Sequence, residues 1–146
     1  LVYVDAVVPK PGESWSSTHG RAARGAGLAA AAATPDFAFP PPDPAVFGLQ
    51  DADYEWVKRR QTPHPGHTYE AALDFDPARV ARVPRTFINC TQPALATIDA
   101  IRPRVRDARF WDGAWLPGSR IVELATGHDP MLSERAAMTR LLLELA

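Results

Sequence analysis

Two ionisable residues stand where strand-like runs end, and together they could carry out proton transfer. His128 lies in "ELATGHDPML" (123–132), just past an apolar run and just before what reads as the final helix. Asp5 interrupts "LVYVDAVV" near its end. An imidazole changes charge near neutral pH and serves as both general base and general acid. A carboxylate bonded to it fixes the tautomer and stabilises the imidazolium. An ionised carboxylate in an apolar strand is costly to bury unless a donor pairs with it, and a histidine N–H would do so. Each residue also has a simpler reading. Gly127, Asp129 and Pro130 are turn formers that would seat a surface histidine, and Asp5 could cap a loop or pair with an arginine.

The elements that position these two residues can be read from the same sequence. "LVYVDAVV" is apolar and β-branched without alternation, the pattern of a strand covered on both faces of a parallel sheet. Strand character returns at "RTFINCT" (85–91) and at "SRIVELA" (119–125). Between them, "ALATIDAIRPRVRDA" predicts a helix with a proline interruption, and "WDGAWLPGS" a turn-rich loop. After His128, Ser133 is the expected N-cap of a helix on which Ala137, Met138, Leu141, Leu142 and Leu145 recur at helical spacing. Residues 9–84 differ in character. Most of the fifteen prolines lie there, with an alanine-rich patch and "FPPPDP", which neither a central strand nor an unbroken helix tolerates. This stretch reads as an insertion of short helices and loops, one helix being expected at 51–60. The order strand, insertion, strand, helix, strand, helix predicts an α/β fold with a parallel sheet. In such sheets ligands sit at the carboxyl ends of the strands, where Asp5 and His128 both fall.

Composition narrows the function. With 146 residues, 46% of them hydrophobic, the chain can build one domain with a real core. Sixteen basic against seventeen acidic residues, with no block of one sign, advertise no surface for nucleic acid. The single cysteine, Cys90, excludes an intrachain disulfide and a cysteine-based zinc site and fits a reducing compartment, so a cytoplasmic location is expected. The longest apolar run, residues 25–33, is too short for the roughly 20 residues that cross a bilayer, and no membrane association is expected. The opening at Leu1 lacks the charged region of a signal peptide and reads as a piece of a longer chain.

"LVYVDAVVP", "DADYEWVKRRQTPHP", "VPRTFINCT" and "ELATGHDPMLSERAAMTRLLLELA" together resemble the C-terminal part of an α/β hydrolase. The resemblance is greatest to the plant methylesterase and hydroxynitrile lyase-like group and its bacterial esterase relatives. It implies that residues 1–146 form a partial α/β hydrolase domain of three parallel strands with crossover helices. Residues 9–84 would be a helical, proline-rich cap, and the first strands and the nucleophile elbow would precede Leu1. It further implies that His128 is the general base of a serine esterase. Such an enzyme acts on a small hydrophobic carboxylic ester through an acyl-enzyme, without metal or organic cofactor. Hydroxynitrile cleavage on the same fold is an alternative. It would need a cation near the substrate, for which the insertion offers Lys10 and Lys58. A non-catalytic fragment or binding protein, associating through a bare sheet edge, is a further alternative.

The sequence departs from that group twice. No Gly-x-Ser-x-Gly occurs: Ser14, Ser16, Ser17, Ser119 and Ser133 all lack the flanking glycines, so no nucleophile is expected in this chain and alone it should be inactive. The plant members carry an acid shortly after the seventh strand, as "CT-x-Asp", where this chain reads "CTQP" with Gln92 and Pro93. The next carboxylate there is Asp99, in predicted helix. In several α/β hydrolases the acid follows the sixth strand instead, the place of Asp5, which makes Asp5 the expected acid and Asp99 the alternative. Asp129 is expected to point away from its neighbour and cap the last helix. His19, His64 and His67 include an "HPGH" pattern, but with no carboxylate or cysteine pair nearby no metal is expected. Trp15, Trp56, Phe37, Phe39 and Phe47 are candidates for lining a pocket or for packing within the insertion.

Overall fold

The computed structural model describes residues 1–111 and 120–146. Its main sheet has three parallel strands in the order β1 (Val2–Val4), β4 (Thr86–Cys90) and β5 (Arg120–Leu124). The central strand is buried along its whole length, as a run of Thr, Phe, Ile, Asn and Cys between two neighbours requires. Val4 pairs with Ile88 and Ile88 with Val122, which brings the carboxyl ends of the three strands to one rim.

Register also builds the core. Tyr3, Phe87 and Ile121 stand side by side across the sheet and pack with Val8, Ile98, Ile101, Val105 and Phe110. Ile101 and Val105, four residues apart, supply one face of a six-residue helix, α5 (Ile101–Arg106). Pro103 lies in its first turn, where no amide hydrogen is needed. The predicted interruption falls earlier, so the expected single helix is a 3₁₀ turn at Ala96–Ile98 followed by α5. The "WDGAWLPGS" segment lies, after its first residue, outside the described residues, as does Ser119.

Residues between β1 and β4 form α1 (Arg21–Ala32), α2 (Asp51–Lys58), α3 (His67–Glu70) and α4 (Pro77–Ala81), together with a two-stranded antiparallel pair, β2 (Ala38–Phe39) and β3 (His64–Pro65). The alanine-rich patch becomes α1, and the prolines separate the short elements. Asp43 and Asp76 each accept an amide two residues on, with proline next in line, capping a 3₁₀ turn and α4 respectively. After β5 come α6 (Pro130–Ser133) and α7 (Arg135–Leu143). Ser133 therefore ends one helix instead of capping the next. Its hydroxyl lies 2.6 Å from that of Thr126 and donates to the Asp129 carbonyl. No helix among the described residues is long and apolar enough to cross a membrane.

Phe87 has no solvent-exposed surface. Phe87→Ala is expected to destabilise the protein by about 3–5 kcal/mol. Leu143→Ala, at a side chain left 72% exposed, should stay within about 0.5 kcal/mol of the parent. Denaturant midpoints measured on the two variants check the contrast.

Candidate active site

β1 stops after three residues because Asp5 takes a positive φ of 40°. That conformation is strained for a residue with a Cβ, and Asp is among the types that tolerate it. The Asp5 amide still donates to the Ile88 carbonyl at 2.7 Å, so the chain leaves the sheet at its rim without losing a ladder bond. The turn buries the Asp5 carboxylate completely. Oδ2 lies 2.8 Å from His128 Nδ1, which donates to it. Oδ1 accepts the Cys90 amide at 3.2 Å and Arg102 Nη2 at 3.3 Å. Asp5 thus meets both sequence readings at once, pairing with the histidine and with an arginine. Asp99 turns to Arg102 Nη1 at 2.5 Å and makes no hydrogen bond to His128.

His128 reaches the rim through the loop after β5. Thr91 donates to Leu124 O and Gln92 to Thr126 O, which carries the β4–β5 pairing into the loop. The His128 amide then donates to the Phe47 carbonyl at 3.0 Å, and its ring lies 5.5 Å from that of Phe47. Such an approach of two backbones leaves no room for side chains. A Cβ on Gly127 would sit 2.0 Å from Phe47 O, and Gly48, at φ 81°, faces Gly127 from the other loop. The glycine before the histidine is therefore a packing requirement as well as a turn former. His128 Nε2 has no hydrogen-bond partner among the described residues.

The fully enclosed surroundings act on Cys90 too. Burial pushes its thiol up to about 12, and the negative charge of Asp5 adds to this while Arg102 opposes it. A thiol of that kind is no nucleophile at neutral pH. Burial likewise raises the Asp129 carboxyl, with His128 pulling the other way. Asp129 occupies the N-cap position of α6, yet its side chain makes no capping bond.

Val4, Ala6, Val7, Leu95, Ile98, Trp15, Phe39, Val46 and Phe47 line a cavity of about 590 Å³ that His128 and His64 also line, with the buried Asp5 behind His128. Phe37 and Trp56 are elsewhere, packed on His67 and Arg60. Lys10 stands over the Phe110 ring and Lys58 over Tyr54, and neither lines the cavity. Of the three other histidines, His64 lines the cavity, and His19 and His64 both pack on Trp15. His19 Nδ1 lies 3.1 Å from the Tyr69 hydroxyl, with burial holding the ring below the ordinary histidine range. His64 Nε2 bonds Thr68, and His67 stacks near Phe37. Among the described residues no three metal-ligating side chains gather. Ser14 and Ser16 bond each other, and Ser17 bonds the backbone of Ser14. Reasoning from sequence missed Arg102 and the Phe47 carbonyl. The first lies 97 positions from Asp5, and the second leaves no trace in residue type.

Gly127→Ala is expected to lower stability by about 1–3 kcal/mol through overpacking and to disturb the His128 ring signal, measured by denaturation and by NMR. Cys90 should resist iodoacetamide at pH 8 in the folded protein and react readily once denatured. Equal alkylation rates in the two states would contradict the burial described.

No protein-family model matches the sequence, and no curated protein matches it. Among solved structures, the chain superposes with a TM-score of 0.72 on an extracellular α/β-hydrolase from a Paenibacillus species. That protein is described as sharing structural and functional homology with tobacco salicylic acid binding protein 2. The match covers 99% of this chain but 60% of the other, at 16% identity. That likeness concerns the fold alone: the three parallel strands and their helices fit part of an α/β-hydrolase fold.

Proposed function

We propose that this chain carries the histidine and the acid of a serine-type carboxylic ester hydrolase. Its nucleophilic serine and oxyanion donors would be contributed by polypeptide beyond these 146 residues. The observation that carries the reading is the 2.8 Å bond from His128 Nδ1 to a fully buried Asp5, with Nε2 unbonded among the described residues and the ring beside an apolar cavity. A carboxylate at Nδ1 selects the tautomer whose Nε2 lone pair is available. His128 Nε2 takes the proton of the serine hydroxyl as it attacks the ester carbonyl, and Asp5 stabilises the resulting imidazolium. The proton then passes to the leaving alkoxide, an acyl-enzyme remains, and water activated at the same Nε2 releases the acid.

Residues 9–84 act in this reading as a cap, since Trp15, Phe39, Val46 and Phe47 come from it to wall the cavity. Apolar walls exclude water and strengthen the electrostatic interactions inside, and they suit a small hydrophobic ester. The exposed outer edge of β1, where Val2 is 36% exposed, is where additional strands would pair. Lys10 and Lys58 both stand away from the cavity, so neither supports carbon–carbon cleavage of the hydroxynitrile lyase kind.

In the full-length protein, a chromogenic short-chain ester should be hydrolysed and a fluorophosphonate should label a serine. Asp5→Asn is expected to lower kcat on the order of 10⁴-fold by stabilising the wrong tautomer, and His128→Ala by at least as much, whereas Asp99→Asn should retain most activity. Wild-type rates in Asp5→Asn, or the absence of any labelled serine, would refute the proposal.

A further inference from the structure

Arg102 is placed where it can decide the aim of the Asp5 carboxylate. A guanidinium has five N–H donors, and here all five are engaged. Nε donates to Asn89 Oδ1 at 2.8 Å, and Nη1 donates to Leu95 O at 3.0 Å and to Asp99 Oδ1 at 2.5 Å. Nη2 donates to Asp5 Oδ1 and to Cys90 O, each at 3.3 Å. Only 12% of the Arg102 side chain is exposed. Its anchors are themselves held: Asn89 Nδ2 donates to Glu123 Oε2 at 2.5 Å, and Arg106 pairs with the other oxygen of Glu123. The fork therefore joins the ends of β1 and β4 to the first turn of α5, and through Asn89 it is linked to Glu123 of β5.

Rotation of a carboxylate about its last bond meets only a broad, shallow barrier, so burial alone does not point an Asp oxygen at a histidine. Asp5 needs a clamp. Two donors on Oδ1, the Cys90 amide and Arg102 Nη2, fix the plane of the group and leave Oδ2 facing His128 Nδ1. We propose that Arg102 is a positioning residue, holding Asp5 so that His128 keeps its Nδ1–H tautomer and its Nε2 faces the cavity. This rests on the hydrolase reading for its catalytic consequence, though the geometric claim stands independently of activity. A lysine, with a single point charge in place of the planar fork, can hold Asp5 or Asn89 but cannot span both.

The test uses Arg102→Met, Arg102→Lys and Asp99→Asn in the full-length protein, with 4-nitrophenyl acetate as substrate and His128→Ala as reference. Arg102→Met is expected to lower kcat about 10²-fold through misalignment with KM little changed, Arg102→Lys to recover part of the loss, and Asp99→Asn to show a small loss of the same kind. Ring ¹⁵N spectra should show a single Nδ1–H tautomer of His128 in the parent and a mixture in Arg102→Met. Unchanged kcat and an unchanged tautomer would overturn the assignment. If Arg102→Met does not fold, an unchanged tautomer in both Arg102→Lys and Asp99→Asn would do the same. If the parent does not hydrolyse 4-nitrophenyl acetate, or His128→Ala hydrolyses it as fast as the parent, the hydrolase reading fails instead, and the spectra still decide the role of Arg102.

Discussion

A carboxylate without any exposed surface has to be answered by donors, and the rest of this structure follows from how Asp5 is answered. Ionised and buried, it would be prohibitively costly alone. It is met by a backbone amide from the central strand, an arginine from the helix behind and a histidine from the loop beyond the last strand. Those three donors come from segments 85, 97 and 123 positions away. They converge because parallel strands in level register end together, and because a left-handed turn at Asp5 tips its side chain inward at that level. Stability and site geometry are thus tied: whatever loosens one donor leaves a buried charge partly unanswered.

The same rim explains why the long segment between β1 and β4 is packed as it is. Its prolines break it into short elements. Tyr69 meets Trp15 and Phe39 edge to face, each at a centroid separation of 5.0 Å, and Trp15 and Phe39 lie tilted to one another at 6.3 Å, which gives the segment its own aromatic centre. Trp15 and Phe39 also face the cavity, so this packing shapes the surface presented to His128.

How much of this was legible in the sequence depended on what kind of interaction carried it. The strands at 86–90 and 120–124 were, because apolar, β-branched runs have few other uses. Asp5 and His128 stood out as polar residues at the ends of such runs, and the structure brings them together. The first strand proved shorter than its apolar run because a backbone dihedral at Asp5, which residue type does not encode, turns the chain away. The helix expected over 94–108 broke because Asp99 and Ala100 turn between two short helical pieces. Arg102 was hidden among the arginines of "IRPRVRDAR", alike in sequence and distinguished only by what they face: Arg104 pairs with Glu13, Arg106 with Glu123 and Arg109 with Asp107. A main-chain carbonyl, as at Phe47, is a partner any residue could supply.

The contact between Gly127 and Phe47 has a mechanical meaning. A main-chain bond at 3.0 Å, with no side chain between the two loops to act as a cushion, behaves as a rivet. Swinging the whole 9–84 segment outward would shear that bond and carry the imidazole with it. The insertion and the histidine loop are thus fastened to each other at Phe47, on one side of the cavity.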